Sequence, residues 1–214
     1  MQLLATVLEY PEPETAAMRE ELVALLDDWK PEAAEALRVH TEALADMSLY
    51  DQQERYAATF DVNPAVCLYV GYHVFGDSYP RGVFMSRLAG AYEKAGFQLD
   101  RELPDHVPAV LRYLACSEAV DPVELVDDAL VPALRKIVGA FAETTSPYAA
   151  LLEATLRTFE RPENAEVQET EGPEADGRRT LALPVFSNRE DRALTPSPEA
   201  AAMIASRPKE ETKP

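Results

Sequence analysis

Glycine is scarce in this chain, with 8 in 214 residues, and a sheet-rich fold full of tight turns is hard to build from so few. Cysteine is scarcer still. Cys67 and Cys116 each sit in an apolar run without CxxC spacing, which excludes a disulfide framework and predicts buried free thiols in a reducing cytoplasm. The three histidines, His40, His73 and His106, lie far apart with no close cysteine or histidine, so no zinc site is expected. Catalytic signatures are missing as well: there is no glycine-rich phosphate loop, no GxSxG and no HExxH. Without a phosphate loop a nucleotide hydrolase is disfavoured, and the chain reads as a binding protein rather than an enzyme. Residues 1–11 lack a basic n-region and reach Glu9 too soon for a signal peptide. No apolar stretch approaches the length of a membrane span. Positive charge is also short, at 20 Lys and Arg against 38 Asp and Glu, a formal net charge of −18. Such a body repels nucleic acid and anionic membrane surfaces, and attracts basic segments.

Proline, by contrast, is plentiful, with 17 residues, and in the body of the chain it recurs in order at helix starts. Pro13 precedes Met18, Leu22, Leu25 and Leu26 on one predicted face, and Pro31 precedes Leu37, Thr41 and Leu44. A third helix is predicted from about Ser48, with Leu49, Tyr56 and Phe60 on one side. Asn63-Pro64 opens a run to Phe75 that carries no Asp, Glu, Lys or Arg, which predicts a helix buried on every side at the centre of a bundle. Pro80 opens the next helix, with Phe84, Leu88 and Tyr92 inward and Gly96 at its end. Asp105 is placed to cap a helix holding Val107, Val110, Leu111 and Leu114. Asp121-Pro122-Val123-Glu124 has capping-box spacing, and Pro132 predicts a kink in the helix that follows. Ser146-Pro147 starts the last helix, with Leu151, Leu152, Leu156 and Phe159. The fold class is therefore all-α, a single-domain bundle over residues 1–159.

Residues 160–214 read as a flexible tail: seven of the prolines fall there, and no helical period runs beyond a turn or two. Its one apolar island is Leu181–Phe186. With 12 acidic and 8 basic residues the tail carries −4, leaving −14 on residues 1–159. The acidity belongs mainly to the folded body.

Two loops resist a purely structural reading. Gly76-Asp77-Ser78-Tyr79-Pro80-Arg81-Gly82 sets Arg81 in the first turn of a helix, where the macrodipole disfavours a cation by roughly 0.3–1 kcal/mol. Asp77 stands four residues away and is expected to pair with it. In Glu102-Leu103-Pro104-Asp105-His106, folding alone has no need of Glu102 or His106.

With Tyr56–Asp61, Leu68–Asp77, Leu88 and Tyr92, these loops resemble the delta-subunit, NarJ-type assembly chaperones of respiratory nitrate reductase, within the wider TorD-like group of redox-enzyme maturation proteins. Leu3–Pro11 and Ser146–Ala149 resemble the same family, and the likeness spans about residues 1–159. The resemblance implies an all-helical cytoplasmic chaperone with no cofactor of its own. It would bind the N-terminal segment of the apo catalytic subunit until the molybdenum cofactor is inserted. Chaperones for dimethyl sulfoxide, trimethylamine oxide or selenate reductases, and a structural helical subunit, are the competing assignments. The expected mode is a basic amphipathic client helix in an apolar groove with an acidic rim. The groove candidates are Tyr56, Phe60, Tyr69, Tyr72 and His73, with Asp61, Asp77, Arg81, Glu102, Asp105 and His106 as polar partners.

Because the tail lacks a hydrophobic period, deleting residues 170–214 should leave the melting temperature of the body nearly unchanged. A fall of many degrees would mean that Leu181–Phe186 docks and that the boundary lies later in the chain.

Overall fold

A computed structural model of the chain describes residues 1–99, 101–116, 122–141 and 146–161. The expected tail, apart from Glu160 and Arg161, and the expected capping residue Asp121 lie outside the described residues.

Among the described residues ten α-helices follow one another: α1 (Gln2–Val7), α2 (Thr15–Trp29), α3 (Pro31–Leu44), α4 (Leu49–Phe60), α5 (Val70–Phe75), α6 (Tyr79–Lys94), α7 (Val107–Cys116), α8 (Pro122–Leu125), α9 (Val131–Ala140) and α10 (Pro147–Phe159). Among the described residues no sheet forms; there is one isolated antiparallel bridge between Tyr69 and His106. The all-α expectation holds. No helix among the described residues is long and apolar enough to cross a membrane.

Local signals explain the helix starts. Ser48 accepts from the Asp51 backbone N–H, and Ser146 from that of Tyr148 with Pro147 at the first turn. Gly96, at φ 66°, turns the chain after α6 through the left-handed region, where glycine alone is unstrained. The expected disturbance at Pro132 is a π-helical turn, Val126–Leu130, joining α8 to α9. It relieves the clash between a proline ring and the carbonyl one turn back.

The core forms where α3 packs between α2 and α10, while α10 also packs on α9 and α1 lies along α7. Leu37 and Leu44 of α3, Leu134 and Ile137 of α9, and Leu151 and Leu152 of α10 are wholly buried. Ala33 and Ala34, equally buried, keep α3 small where α10 crosses it. Burying each of the larger side chains is worth roughly 1.5–3 kcal/mol.

Three expectations need correction. Residues 64–75 do not form one buried central helix: a 3₁₀ turn (Pro64–Val66) leads into an extended stretch and then the six-residue α5, of which Val70 and Gly71 alone are buried. The backbone of the extended stretch is bonded to a distant loop, so it is not free to coil. On α2, Leu25 is 57% exposed and Trp29 64%, while Leu22 and Leu26 are buried beside Arg19. The apolar stripe is narrower than the pattern implied. Both thiols are free, but Cys116 is exposed and Cys67 only half-buried.

One polar cluster crosses the core. Arg19 donates from Nη1 to Oε1 of Gln52 at 3.2 Å, and its Nε has no partner among the described residues. His40, 1% exposed, holds the Pro147 carbonyl oxygen at 2.9 Å from Nδ1, which must carry the proton because a carbonyl only accepts. Burial pushes the His40 pKa down to about 4 from its ordinary 6.5; the Pro147 bond opposes this and the Arg19 charge adds to it. Since the folded pKa lies below the unfolded one, the unfolded chain takes the proton first as pH falls. Stability is therefore complete above about pH 6.5 and drains away down to about pH 4. The amount is on the order of 3 kcal/mol. Urea midpoints at pH 7 and pH 4.5 should differ less for His40→Gln than for the wild type; an equal loss in both would assign the acid sensitivity to other groups.

Candidate functional site

The site is built on the stretch between the 3₁₀ turn and α5. Its backbone is clipped to the loop before α7 by two bonds: Val70 N–H donates to the Asp105 carbonyl and Val107 N–H to the Leu68 carbonyl, each at 2.8 Å. Tyr69 thus lies opposite His106, with ring centroids 5.3 Å apart. The register also delivers the Asp105 side chain to the first turn of α5. Gly71 is required there, because a Cβ at that position would stand 2.7 Å from Asp105 Oδ2 and 3.1 Å from Arg81 Cγ.

Asp105 is 0% exposed and is matched by Arg81, whose side chain is 15% exposed. Arg81 Nε donates to Oδ2 at 2.9 Å, and Nη2 makes a longer 3.5 Å contact with Oδ1. The guanidinium carbon sits 5.6 Å from the Tyr69 ring centroid and 5.7 Å from that of Tyr72, within cation–π range of both. Burial works against the Arg81 charge, but the hydrogen bond and charge of Asp105 overcome it and raise its pKa. The third nitrogen, Nη1, has no hydrogen-bond partner among the described residues.

Two expectations about these loops are thereby overturned. Arg81 does not pair with Asp77, which is exposed and contributes only the weakest of the charges felt by Arg81. Nor does Asp105 cap α7; its carboxylate faces Arg81 and its carbonyl faces Val70. A cation in the first turn of α6 is tolerated because a buried carboxylate from elsewhere in the chain meets it.

Around this pair the remaining candidates divide. Tyr69 donates its OH to Glu102 Oε2 at 3.1 Å; burial, then the charge and hydrogen bond of Glu102, push the phenol up to about 12, so it stays a donor at neutral pH. His106 is lowered chiefly by burial, against the pull of Glu102 and Asp105. His73 donates from Nε2 to the Cys67 carbonyl at 2.7 Å, and burial lowers its pKa too. Lys136 of α9 reaches the His73 carbonyl at 2.6 Å and ties the end of α5 down. His73 is thus a bracing residue. Among the described residues no group of three His, Cys, Asp or Glu side chains gathers to hold a metal ion.

Tyr56 and Phe60 are not groove residues in this structure. Both are buried in an aromatic cluster with Tyr148, at centroid distances of 4.9 to 5.6 Å, and the Tyr56 OH donates to the Leu8 carbonyl at 3.0 Å. Their stripe is the internal face of α4. Asp61, exposed after α4, stays outside the cluster, yet its charge acts on Tyr56 together with those of Glu9 and Glu102.

Gly71 and Tyr92 were not among the candidates. The Tyr92 OH donates to the Pro104 carbonyl at 2.7 Å and so supports the loop that carries Glu102 and Asp105. A glycine inside an apolar run, between Tyr69 and Tyr72, is the signal for close approach of another group.

The family model described as "Nitrate reductase delta subunit" matches residues 26–154, a stretch containing Tyr69, Tyr72, Arg81, Glu102, Asp105 and His106. The chain is 33% identical over 159 residues to the nitrate reductase molybdenum cofactor assembly chaperone NarJ of Escherichia coli K12, covering 72% of this chain and 67% of that protein. It is 30% identical over 166 residues to the probable assembly chaperone NarJ of Bacillus subtilis, covering 73% and 86%. A similar likeness, 30% over 158 residues, extends to the nitrate reductase-like protein NarX of Mycobacterium tuberculosis H37Rv, of which it covers 24%.

The buried pair makes a definite forecast. Arg81→Ala leaves Asp105 charged and unpaired in the interior and should cost about 3–5 kcal/mol in chemical denaturation. Asp77→Ala should stay within about 0.5 kcal/mol of wild type. Equal losses from the two would restore Asp77 as the partner of Arg81.

Proposed function

The chain belongs to the nitrate reductase delta-subunit family, and on that basis we propose that it is an assembly chaperone rather than an enzyme. Its client is the apo catalytic subunit of nitrate reductase, held through the N-terminal segment in the cytoplasm while the molybdenum cofactor is inserted. The observation that carries the reading is the Arg81 guanidinium, fixed by a buried carboxylate and framed by two tyrosine rings, with Nη1 unused among the described residues. A donor held in place but not used up internally suits a guest that brings its own acceptor.

The parts divide the work as follows. The −14 on residues 1–159 draws in a basic segment from a distance. Glu102 and Asp61 at the rim accept its cations. Tyr69 and Tyr72, half-buried, offer ring surface to its apolar side. Arg81 Nη1 binds a carbonyl or carboxylate at one end of the segment, a role for which the planar fork of arginine suits better than the lysine point charge. Ordering a disordered segment costs about 2–5 kcal/mol, which limits affinity and lets maturation of the client end the complex. The chaperone brings no cofactor; its contribution is to keep the client's own site open.

Reductase produced beside the full chain should be molybdenum-loaded, and reductase produced without it largely empty, as read by metal content per catalytic subunit. Full loading without the chain would refute the proposal. Calorimetry with the client's N-terminal peptide should show affinity that weakens as salt is raised and then levels off, since screening removes the long-range attraction and spares apolar contacts. A flat profile would mean that the charge serves solubility alone.

A further inference from the structure

The outer edge of α2 carries a seven-residue repeat that the core uses only in part. Thr15, Leu22 and Trp29 recur every seven residues, with Met18 and Leu25 between them, and the alternating spacings of three and four are those of a helix–helix seam. Thr15 and Leu22 are buried in the body, with Arg19 and Leu26 on the inner side. Leu25 and Trp29 are exposed and Met18 is half-buried, so the outer half of the seam is not covered by any of the described residues. At 100° per residue, Met18, Leu25 and Trp29 lie within about 40° of one another and form one apolar strip.

Acids line the open side of this strip. Glu14, Glu21 and Asp28 also recur every seven residues, at the positions that flank a helix–helix seam and select its partner by charge. All three are exposed. They lie within about 60° of Leu25 on the side away from the buried face, along about 21 Å of helix. Their carboxylates have no hydrogen bond or ion pair among the described residues. Neighbouring charges are already engaged: Asp27 and Glu35 hold Arg38, and Lys30 Nζ donates to the Glu160 carbonyl at 2.9 Å. A row of unpaired acids in step with an apolar strip is complementary to cations of the same period. A second copy of this chain does not supply them. Antiparallel pairing of two α2 strips would set acid row against acid row, and two bodies that each carry −14 repel one another.

We propose that this edge of α2 docks a basic amphipathic helix of a partner protein. The partner's apolar side chains, three and four residues apart, pack on Met18, Leu25 and Trp29. Its Lys or Arg residues at the flanking positions of the repeat pair with Glu14, Glu21 and Asp28. The surface shares no residue with the Arg81 site, and the inference stands independently of the chaperone reading.

Trp29 is the sole tryptophan of the chain and lies in the contact, so its fluorescence reports occupancy directly. The probe is a tryptophan-free synthetic helix of about three heptads, with leucine along the seam, lysine at the flanking positions and alanine elsewhere. A twin carries glutamate in place of lysine. Titrated into the full chain, the lysine helix should shift Trp29 emission to shorter wavelength and bind at least about tenfold more tightly than its twin. Leu25→Ser, at an exposed position, should weaken the lysine helix by at least about tenfold with the melting temperature unchanged. Glu21→Lys combined with Asp28→Lys should reverse the preference in favour of the glutamate helix. Unmoved emission, equal binding of the twins, or full affinity in Leu25→Ser would overturn the proposal; the first two outcomes need no variant and decide the matter if a variant fails to fold. Displacement of the lysine helix by the client's N-terminal peptide would overturn it in favour of the client. A dimer seen in sedimentation and lost in Leu25→Ser would overturn it in favour of a second copy.

Discussion

An aspartate can be carried fully into a protein only where a cation and hydrogen bonds replace the water it loses. Asp105 is in that position, and much of this half of the molecule is arranged around the requirement. Arg81 comes from the first turn of α6 to meet it, and two tyrosine rings flank the guanidinium. Gly71 clears the space that the carboxylate occupies. The clip between residues 68–70 and 105–107 sets the register that brings the carboxylate there. Remove the pair and each of these loses its reason, which is why the cluster behaves as one unit.

The same pair separates binding from catalysis. A catalytic acid or base needs a pKa near the working pH and access to a reacting atom. Here the phenol of Tyr69 is pushed away from neutrality and the carboxylate is sealed by its own counter-ion. What the site offers outward is shape, ring surface and one fixed cation. Those properties suit the proposed role of holding a chain segment.

Local chemistry was legible in the sequence and long-range pairing was not. Ser48, Ser146-Pro147 and Gly96 act within a few residues of themselves, and the structure uses each as its type implies. The disturbance at Pro132 was equally local. By contrast, the partner of Arg81 lies 24 residues away, and a nearer acid, Asp77, made a plausible but mistaken choice. The run from Asn63 to Phe75 looked like a central helix because its apolarity was visible and its backbone bonds to residues 105 and 107 were not. Tyr56 and Phe60 fell to a related ambiguity: a helical stripe says that a face is covered, and not whether the protein or a guest covers it.

The π turn at Val126–Leu130 has a bearing on how this chain tolerates length changes. A π turn holds one residue more than the α-helix around it, so it marks a place where an insertion has been absorbed without breaking the helix. Losing that residue would restore α geometry there while the turns on either side kept their faces, because the bulge confines the extra residue to itself. Leu125 and Leu134, both buried, would stay on the core through such a deletion. The same deletion within the regular turns of α9 would swing one part of the helix by about 100° against the other and carry buried side chains off the core.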